Sequence, residues 1–213
     1  MIWAVLLAAG ESRRMGEPKL LLPYGEKTIL EAVLQNAVAS RVDRVLVVLG
    51  SRWRRIKNLI REYDVETVIN PRFRQGMLTS IQRGIAVLPD ACRAAVVVLA
   101  DQPAIPTEII DGLIRVYRQK KKGLIVPVYR KKRGHPLLVD LKYRQEISLL
   151  EPSFGLRQLL RRHPEDILEV RVSTPSILRD IDDPAAYAKA ILKEGRPESI
   201  SNHRMSFRDR RGG

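Results

Sequence analysis

Gly10 and Gly16, interleaved with Arg13 and Arg14 and followed by Lys19, fall in one short stretch directly after the apolar run Ile2 to Ala8. A loop leaving an apolar run of strand length can turn its backbone N–H groups toward an anion. Glycine lets the main chain come close to that anion, and Arg14 and Lys19 supply positive charge for a polyphosphate. Asp101 follows the valine-rich run Ala94 to Leu99. A carboxylate placed there, beside phosphate, suits Mg²⁺, a hard cation that takes carboxylate, water and phosphate oxygens. Each feature also has a plainer reading. The loop is then an ordinary strand-to-helix connection, Asp101 caps the turn made by Gln102-Pro103, and His135 belongs to a structural Gly-His-Pro turn. The loop has neither the G-x-x-x-x-G-K-[ST] pattern of a P-loop nor the G-x-G-x-x-G of a dinucleotide fold.

For these residues to meet, they must lie beyond the carboxyl ends of strands in an open parallel sheet. Ile2 to Ala8, Val45 to Leu49, Val65 to Ile69, Ala94 to Leu99 and Leu124 to Tyr129 read as strands, with Ala94 to Leu99 buried on both faces near the sheet centre. Helical periodicity fills the gaps: Thr28 to Ser40, opened by a Thr28/Glu31 capping box, Trp53 to Tyr63, Leu78 to Leu88, and a helix capped by Thr107 and terminated by Gly123. Short strands His135 to Val139 and Ile167 to Val172, with a helix Leu156 to Arg162 between them, make a further substrate-facing segment. Asp183 as N-cap and Pro184 at the first helical position start a closing helix through Ala188, Ile191 and Leu192. The alternation predicts βαβ units in one three-layer α/β/α domain over residues 1–195, with a mainly parallel sheet. Residues 196–213, with Arg204, Arg208, Arg210 and Arg211, are expected to be a basic, disordered tail.

The chain has 213 residues, 45% of them hydrophobic, enough for a sizeable core. No apolar run approaches the roughly 20 residues of a membrane span, and Met1-Ile2-Trp3 enters a strand directly with no basic n-region, so a cytoplasmic protein without a membrane partner is expected. Cys92 is the single cysteine, so an internal disulfide and a multi-cysteine metal site are excluded, and its expected role is to fill space beside the following strand. The net charge of +14 raises a nucleic-acid partner. Yet Arg52 to Arg55, Lys120 to Lys122 and Arg130 to Arg133 fall at helix ends and loops without interleaved stacking aromatics, which reads as solvated surface. The same positive field favours anionic small substrates.

The segment Leu7 to Lys19 resembles the signature of the MobA-like nucleotidyltransferases, and most of all their molybdenum cofactor cytidylyltransferase branch. Asn70-Pro71 with Gly76-Met77 and Ser80, Leu99 to Pro103, Gly134-His135-Pro136 and Asp180 to Pro184 follow in the family's order. The resemblance implies a Rossmann-like nucleotidyltransferase fold of the glycosyltransferase-A type. It implies an enzyme that uses Mg²⁺ to transfer CMP from CTP to the phosphate of a molybdopterin-type cofactor, releasing pyrophosphate, with a molybdenum hydroxylase as a partner. Arg14, Lys19 and Asp101 are then catalytic, and Leu7, Ala8, Ala9, Gly10, Ser12, Arg14, Gly16, Lys19, Asn70, Gly76 and Ser80 bind the nucleotide. Asp101 and Asp182 hold the metal, and His135 assists the acceptor. Asp183 stands where the family pattern usually has threonine, so Asp180, Asp182 and Asp183 compete for the second carboxylate role. Ala8-Ala9-Gly10 matches the cytidine-using branch rather than the Leu-Ala-Gly-Gly of guanine-using relatives, and the Ala9 methyl narrows the space beside the base. Transfer to another acceptor such as a sugar phosphate, guanylyl transfer, and a non-catalytic cofactor-binding maturation factor stay open. Lys19 and Asp101 favour an enzyme.

Overall fold

The computed structural model describes residues 1–194 and 206–208. In chain order the elements are β1 (Ile2–Ala8), the hairpin β2 (Pro23–Tyr24) and β3 (Lys27–Thr28), α1 (Ile29–Val38), β4 (Arg44–Leu49), α2 (Trp53–Leu59), β5 (Glu66–Ile69), α3 (Met77–Val87), β6 (Ala94–Leu99) and α4 (Thr107–Gln119). Then come β7 (Leu124–Tyr129), β8 (Lys132–Arg133), β9 (Leu137–Asp140), α5 (Arg144–Leu149), α6 (Arg157–Arg162), β10 (Ile167–Arg171), α7 (Pro184–Glu194) and β11 (Ser206–Arg208). The main sheet runs β11-β10-β7-β9-β6-β1-β4-β5, with β8 paired to β7. β1 lies parallel between β4 and β6, and β4 continues parallel to β5. β9 is antiparallel to both of its neighbours, β6 and β7, so the sheet is mixed but mostly parallel.

Period-two alternation along β1 divides its side chains between two cores. Ile2, Ala4, Leu6 and Ala8 pack with Leu30 and Leu34 of α1, Ile56 of α2 and Leu113 of α4. Trp3 and Val5 face the opposite layer, where Leu78, Ile81 and Ile85 of α3 join Ile147 of α5 and Leu159 of α6. Helices on both faces of a mostly parallel sheet give the expected three-layer α/β/α architecture. α3 rides close to β1, since a β-carbon on its Gly84 would sit 2.6 Å from a methyl of Val5.

Several local expectations need correction. Thr107 does not cap α4: Pro106 is the N-cap, and the Thr107 hydroxyl donates instead to the Asn36 carbonyl at 3.2 Å. Gly123 does not terminate α4, which ends at Gln119 with Lys120 as its C-cap. It is small because Asp166, Lys142 and Tyr143 crowd the space a side chain would need. α2 stops at Leu59 rather than Tyr63, with Ile60 as its C-cap. The strand expected at His135 to Val139 runs Leu137–Asp140, and α5 was not anticipated. Thr28 and Glu31 do form a reciprocal capping box, and Cys92 is buried with its thiol on the Ala94 carbonyl at 3.3 Å. Within the segment read as an unstructured tail, Ser206–Arg208 pairs antiparallel with β10, and the rest of 196–213 lies outside the described residues. Among the described residues no helix is long and apolar enough to cross a membrane.

Candidate active site

A cavity of about 380 Å³ opens beyond the carboxyl ends of β1 and β6, at the point where the chain, having built β4 and β5 on one side of β1, crosses to the other. Such a switch point is where open α/β sheets bind ligands. One wall is the loop after β1, with Leu7, Ala9, Gly10, Ser12, Arg14 and Lys19. Leu99, Ala100 and Asp101 form the second wall, and Phe73, Met77 and Ser80 the third. Asp182 reaches in from the turn before α7.

The loop after β1 is shaped from within. Ser12 adopts a left-handed conformation (φ 57°), its carbonyl accepts from Met15 N–H at 3.0 Å, and its hydroxyl accepts from Lys19 N–H at 3.1 Å. Gly16 closes the turn at φ 71°. These contacts return the chain so that Lys19 points at the cavity. Gly10 differs from Gly16 in that its φ is not left-handed, whereas a β-carbon at either would meet no protein atom within 4 Å. Gly10 lines the cavity, where a glycine lets the backbone approach a phosphate.

Charge is concentrated where the walls meet. Lys19 Nζ donates to Asp101 Oδ2 at 2.6 Å and to Asp182 Oδ1 at 2.8 Å, while Arg14 Nη2 donates to Asp182 Oδ2 at 2.7 Å. The Ile181 N–H donates to the Asp101 carbonyl at 2.9 Å, which fixes Asp182 opposite Asp101 across 81 residues of sequence. Burial would lower the Lys19 ammonium, but the carboxylates of Asp101 and Asp182 outweigh it and hold its pKa above the ordinary value. Burial pushes the Asp101 carboxyl up. Lys19 opposes the shift, Asp180 and Asp182 add to it, and the net direction is upward. Asp182 lies below the usual carboxylate range, because its bonds to Lys19 and Arg14 outweigh its burial.

Asp101 Oδ1 is buried and has no hydrogen-bond partner. Such an oxygen needs a cation or donor to offset its lost hydration. Together with Asp182 it fits a hard divalent cation that shares its coordination with water and phosphate. Among the described residues no group of three or more histidine, cysteine, aspartate or glutamate side chains could hold a metal by itself.

The remaining sequence candidates lie elsewhere. Ala8 points into the core on the opposite face of β1 and does not line the cavity. Asn70 is buried behind the α3 wall, and Gly76, at φ 113°, is the N-cap of α3. His135 does not line the cavity either. Burial holds its imidazole below the ordinary pKa against the pull of Asp101, and its backbone N–H donates to the Ile177 carbonyl at 3.1 Å. Of the three competing aspartates, Asp180 accepts from Gln102 Nε2, Asp183 accepts from Ala186 N–H at 2.8 Å as the cap of α7, and Asp182 is the one that meets Lys19. Sequence reasoning missed Glu11, which ties Arg13 (2.6 Å) to Arg74 (3.2 Å) at the rim. It also missed Gly50, whose missing side chain lets the end of β4 press on Ala9 and Phe73. An exposed-looking glutamate beside arginines and a glycine ending a strand were the available signals.

Residues 4–167 match the family model of the MobA-like NTP transferase domain. The chain is 28% identical to the molybdenum cofactor cytidylyltransferase of Escherichia coli (strain K12), over 87% of this chain and 93% of that protein. It is also 28% identical to nicotine blue oxidoreductase of Paenarthrobacter nicotinovorans, over 85% and 92% of the two chains. The crystal structure of Rv0371c from Mycobacterium tuberculosis H37Rv in complex with manganese superposes with a TM-score of 0.75 at 25% identity, covering 90% of this chain and 98% of that one. Two relatives of equal identity carry different activities in their names, so the chemistry of the cavity must choose between reactions.

Proposed function

From the premise that the chain belongs to the MobA-like NTP transferase family and is a nucleotidyltransferase, we propose that it transfers CMP from CTP to the phosphate of a molybdopterin-type cofactor and releases pyrophosphate. The observation that carries this reading is Lys19 held between Asp101 and Asp182 beside a loop whose Gly10 leaves room for phosphate. Two cations, two carboxylates and a backbone cradle suit phosphoryl chemistry, which needs positioning and electrostatic stabilisation more than a protein nucleophile.

An acceptor phosphate oxygen attacks the α-phosphorus of CTP in line, the α–β bridging bond breaks, and pyrophosphate departs along the loop after β1. Lys19 and Arg14, paired with Asp101 and Asp182, turn to the phosphate oxygens and offset the charge that builds on the leaving group. Gly10 admits the main chain to the triphosphate, and Ser12 holds Lys19 in place through its backbone. Asp101 and Asp182 would hold Mg²⁺, which supplies charge neutralisation at the phosphates. Ala9 narrows the base end of the cavity, which favours a pyrimidine. The enzyme would act in the cytoplasm and hand its product to a molybdenum hydroxylase.

Pyrophosphate release measured with each of the four nucleoside triphosphates and molybdopterin-type cofactor tests the reading. The expected result is release with CTP that requires both the acceptor and Mg²⁺. Preference for GTP overturns the cytidylyl assignment, and no release with any nucleotide overturns the transfer itself.

A further inference from the structure

Gln102 is 2% exposed, follows Asp101 directly and does not line the cavity. Its backbone is braced. The Gln102 N–H donates to the Leu99 carbonyl at 3.4 Å, its carbonyl accepts from Ile105 N–H at 3.3 Å, and Asn36 of α1 holds the same turn by donating from Nδ2 to the Ile105 carbonyl at 3.0 Å. From this turn the side chain reaches across 78 residues of sequence, and its Nε2 donates to Asp180 Oδ1. A carboxylate only accepts, so the contact sets the orientation of the amide. Gln102 Oε1 is then buried without a hydrogen-bond partner. A buried amide with one half unpaired costs the fold free energy, and Asp180 is exposed, where water serves a carboxylate equally well. Stability does not account for the contact.

Position does. Asp180 is followed by Ile181, whose N–H donates to the Asp101 carbonyl at 2.9 Å, and then by Asp182. The turn after β6 thus grips one segment at two successive residues, Ile181 through the backbone of Asp101 and Asp180 through the side chain of Gln102. A single bond leaves the segment free to pivot, and two fix its direction. The Asp182 side chain is 32% exposed, so packing alone does not hold it. We infer that Gln102 is a positioning residue for the proposed metal site: by gripping Asp180 it sets the Asp182 carboxylate at the separation from Asp101 at which both serve one divalent cation. The inference rests on the Mg²⁺ and CTP reading above and deepens it. What matters is the hydrogen bond to Asp180 and not the charge of Asp180.

Equilibrium dissociation constants for CTP, measured on the full chain in EDTA and in saturating Mg²⁺ alongside melting temperatures, test this. In the unmodified protein Mg²⁺ should tighten CTP binding. Gln102→Met keeps the length of the side chain and changes no charge, but it cannot donate. Its metal-free constant and melting temperature should match those of the unmodified protein, while the tightening by Mg²⁺ should fall about tenfold, the low end for a group that orients a metal ligand from outside. Asp180→Asn still accepts through Oδ1 and loses only an exposed, screened charge, so its tightening should stay within about threefold of the unmodified protein. Asp180→Ala removes the acceptor and should behave as Gln102→Met does. A purely structural role would lower the melting temperature and shift the metal-free constant as well. Undiminished tightening in Gln102→Met, or equal losses in Asp180→Asn and Asp180→Ala, overturns the inference and leaves the cytidylyl reading intact. The two Asp180 variants decide the matter if Gln102→Met does not fold. An unmodified protein whose CTP binding ignores Mg²⁺ overturns the metal reading and the inference together.

Discussion

Two clusters of ionised groups sit at opposite ends of the sheet, and they differ in what is left over. At the end away from the cavity, Asp166 accepts from Tyr143 Oη at 2.5 Å and pairs with Lys142 at 2.8 Å, while Asp140 accepts from Tyr117 Oη at 2.6 Å and from Lys142 N–H at 2.7 Å. Burial would raise the Asp166 carboxyl, but Lys142, Tyr143 and the Gly123 N–H outweigh it and hold it below the usual range. The lost hydration of its charge is offset within the protein. At the cavity, Asp101 keeps one buried oxygen unpartnered, its carboxyl is pushed upward by burial, and Gly10 borders space that no protein atom fills. A closed ion-pair network stabilises a fold, whereas an open one with an orphan oxygen is shaped for a ligand that arrives from outside.

The contrast breaks most sharply in turnover. Asp101→Asn removes the carboxylate proposed to offset the metal, and Lys19→Ala or Arg14→Ala removes a cation proposed to meet the phosphates. Each is expected to lower the rate of pyrophosphate release by about 10²–10³ or more. Asp101→Asn should do so without lowering the melting temperature at neutral pH, because an ionised Asp101 costs the fold free energy. Near-normal turnover in any of the three removes that residue from the catalytic group.

The mirror experiment is Asp166→Asn at the far end. The amide still accepts from Tyr143 but loses the charge that Lys142 and the tyrosine hydroxyl answer, and a loss of about 1–3 kcal/mol of stability is expected with turnover retained. Chemical denaturation with a parallel rate assay checks it. A turnover loss matching that of Asp101→Asn would erase the distinction between the two ends.

Acid titration sharpens the same comparison by sign. Asp166 and Asp182 have folded pKa values below the unfolded carboxylate value of about 3.9. Their contribution is complete above that value and is lost as pH falls through their folded values. Asp101 runs the other way: its folded pKa is raised, so its cost is absent below about 3.9 and appears as pH rises through its folded value. Melting temperature followed from pH 3 to pH 7 should therefore rise less steeply in Asp166→Asn and more steeply in Asp101→Asn than in the parent. Coincident curves would show that neither shift exists.

Much of this site was legible because parallel strands buried on both faces write themselves as apolar runs, and a residue that follows such a run lies at the ligand end of the sheet. That ground puts Lys19 and Asp101 at the ligand end, while the choice of a metal role for Asp101 rests on the family resemblance. The direction of β9 was not legible, since period-two patterning is blind to strand polarity and only the pairing of Ala94 with Asp140 reveals it. A contiguous motif also hid an alternation. Leu7 and Ala9 face the cavity while Ala8 between them enters the opposite core, as a strand requires. Asn70 reads as a ligand contact because it starts a motif, yet it is buried behind Thr79 and Ser80, and no sequence pattern reports which side of a wall a side chain occupies.

Asp182 and Asp183 give the smallest and most local form of the comparison, two adjacent aspartates with opposite duties. Asp182 meets Lys19 and Arg14 at the cavity, and Asp182→Asn is expected to cost turnover because both cations lose a charged partner there. Asp183 faces away and accepts from Ala186 N–H, satisfying one of the orphan donors in the first turn of α7. Asparagine caps helices about as well as aspartate, and only the favourable charge at the helix N-terminus is lost, so Asp183→Asn should cost less than about 1 kcal/mol. Thermal unfolding and the pyrophosphate assay on the two variants separate the duties. If Asp183→Asn loses turnover as Asp182→Asn does, both carboxylates serve the cavity, and the assignment of Asp182 alone as partner to Asp101 fails.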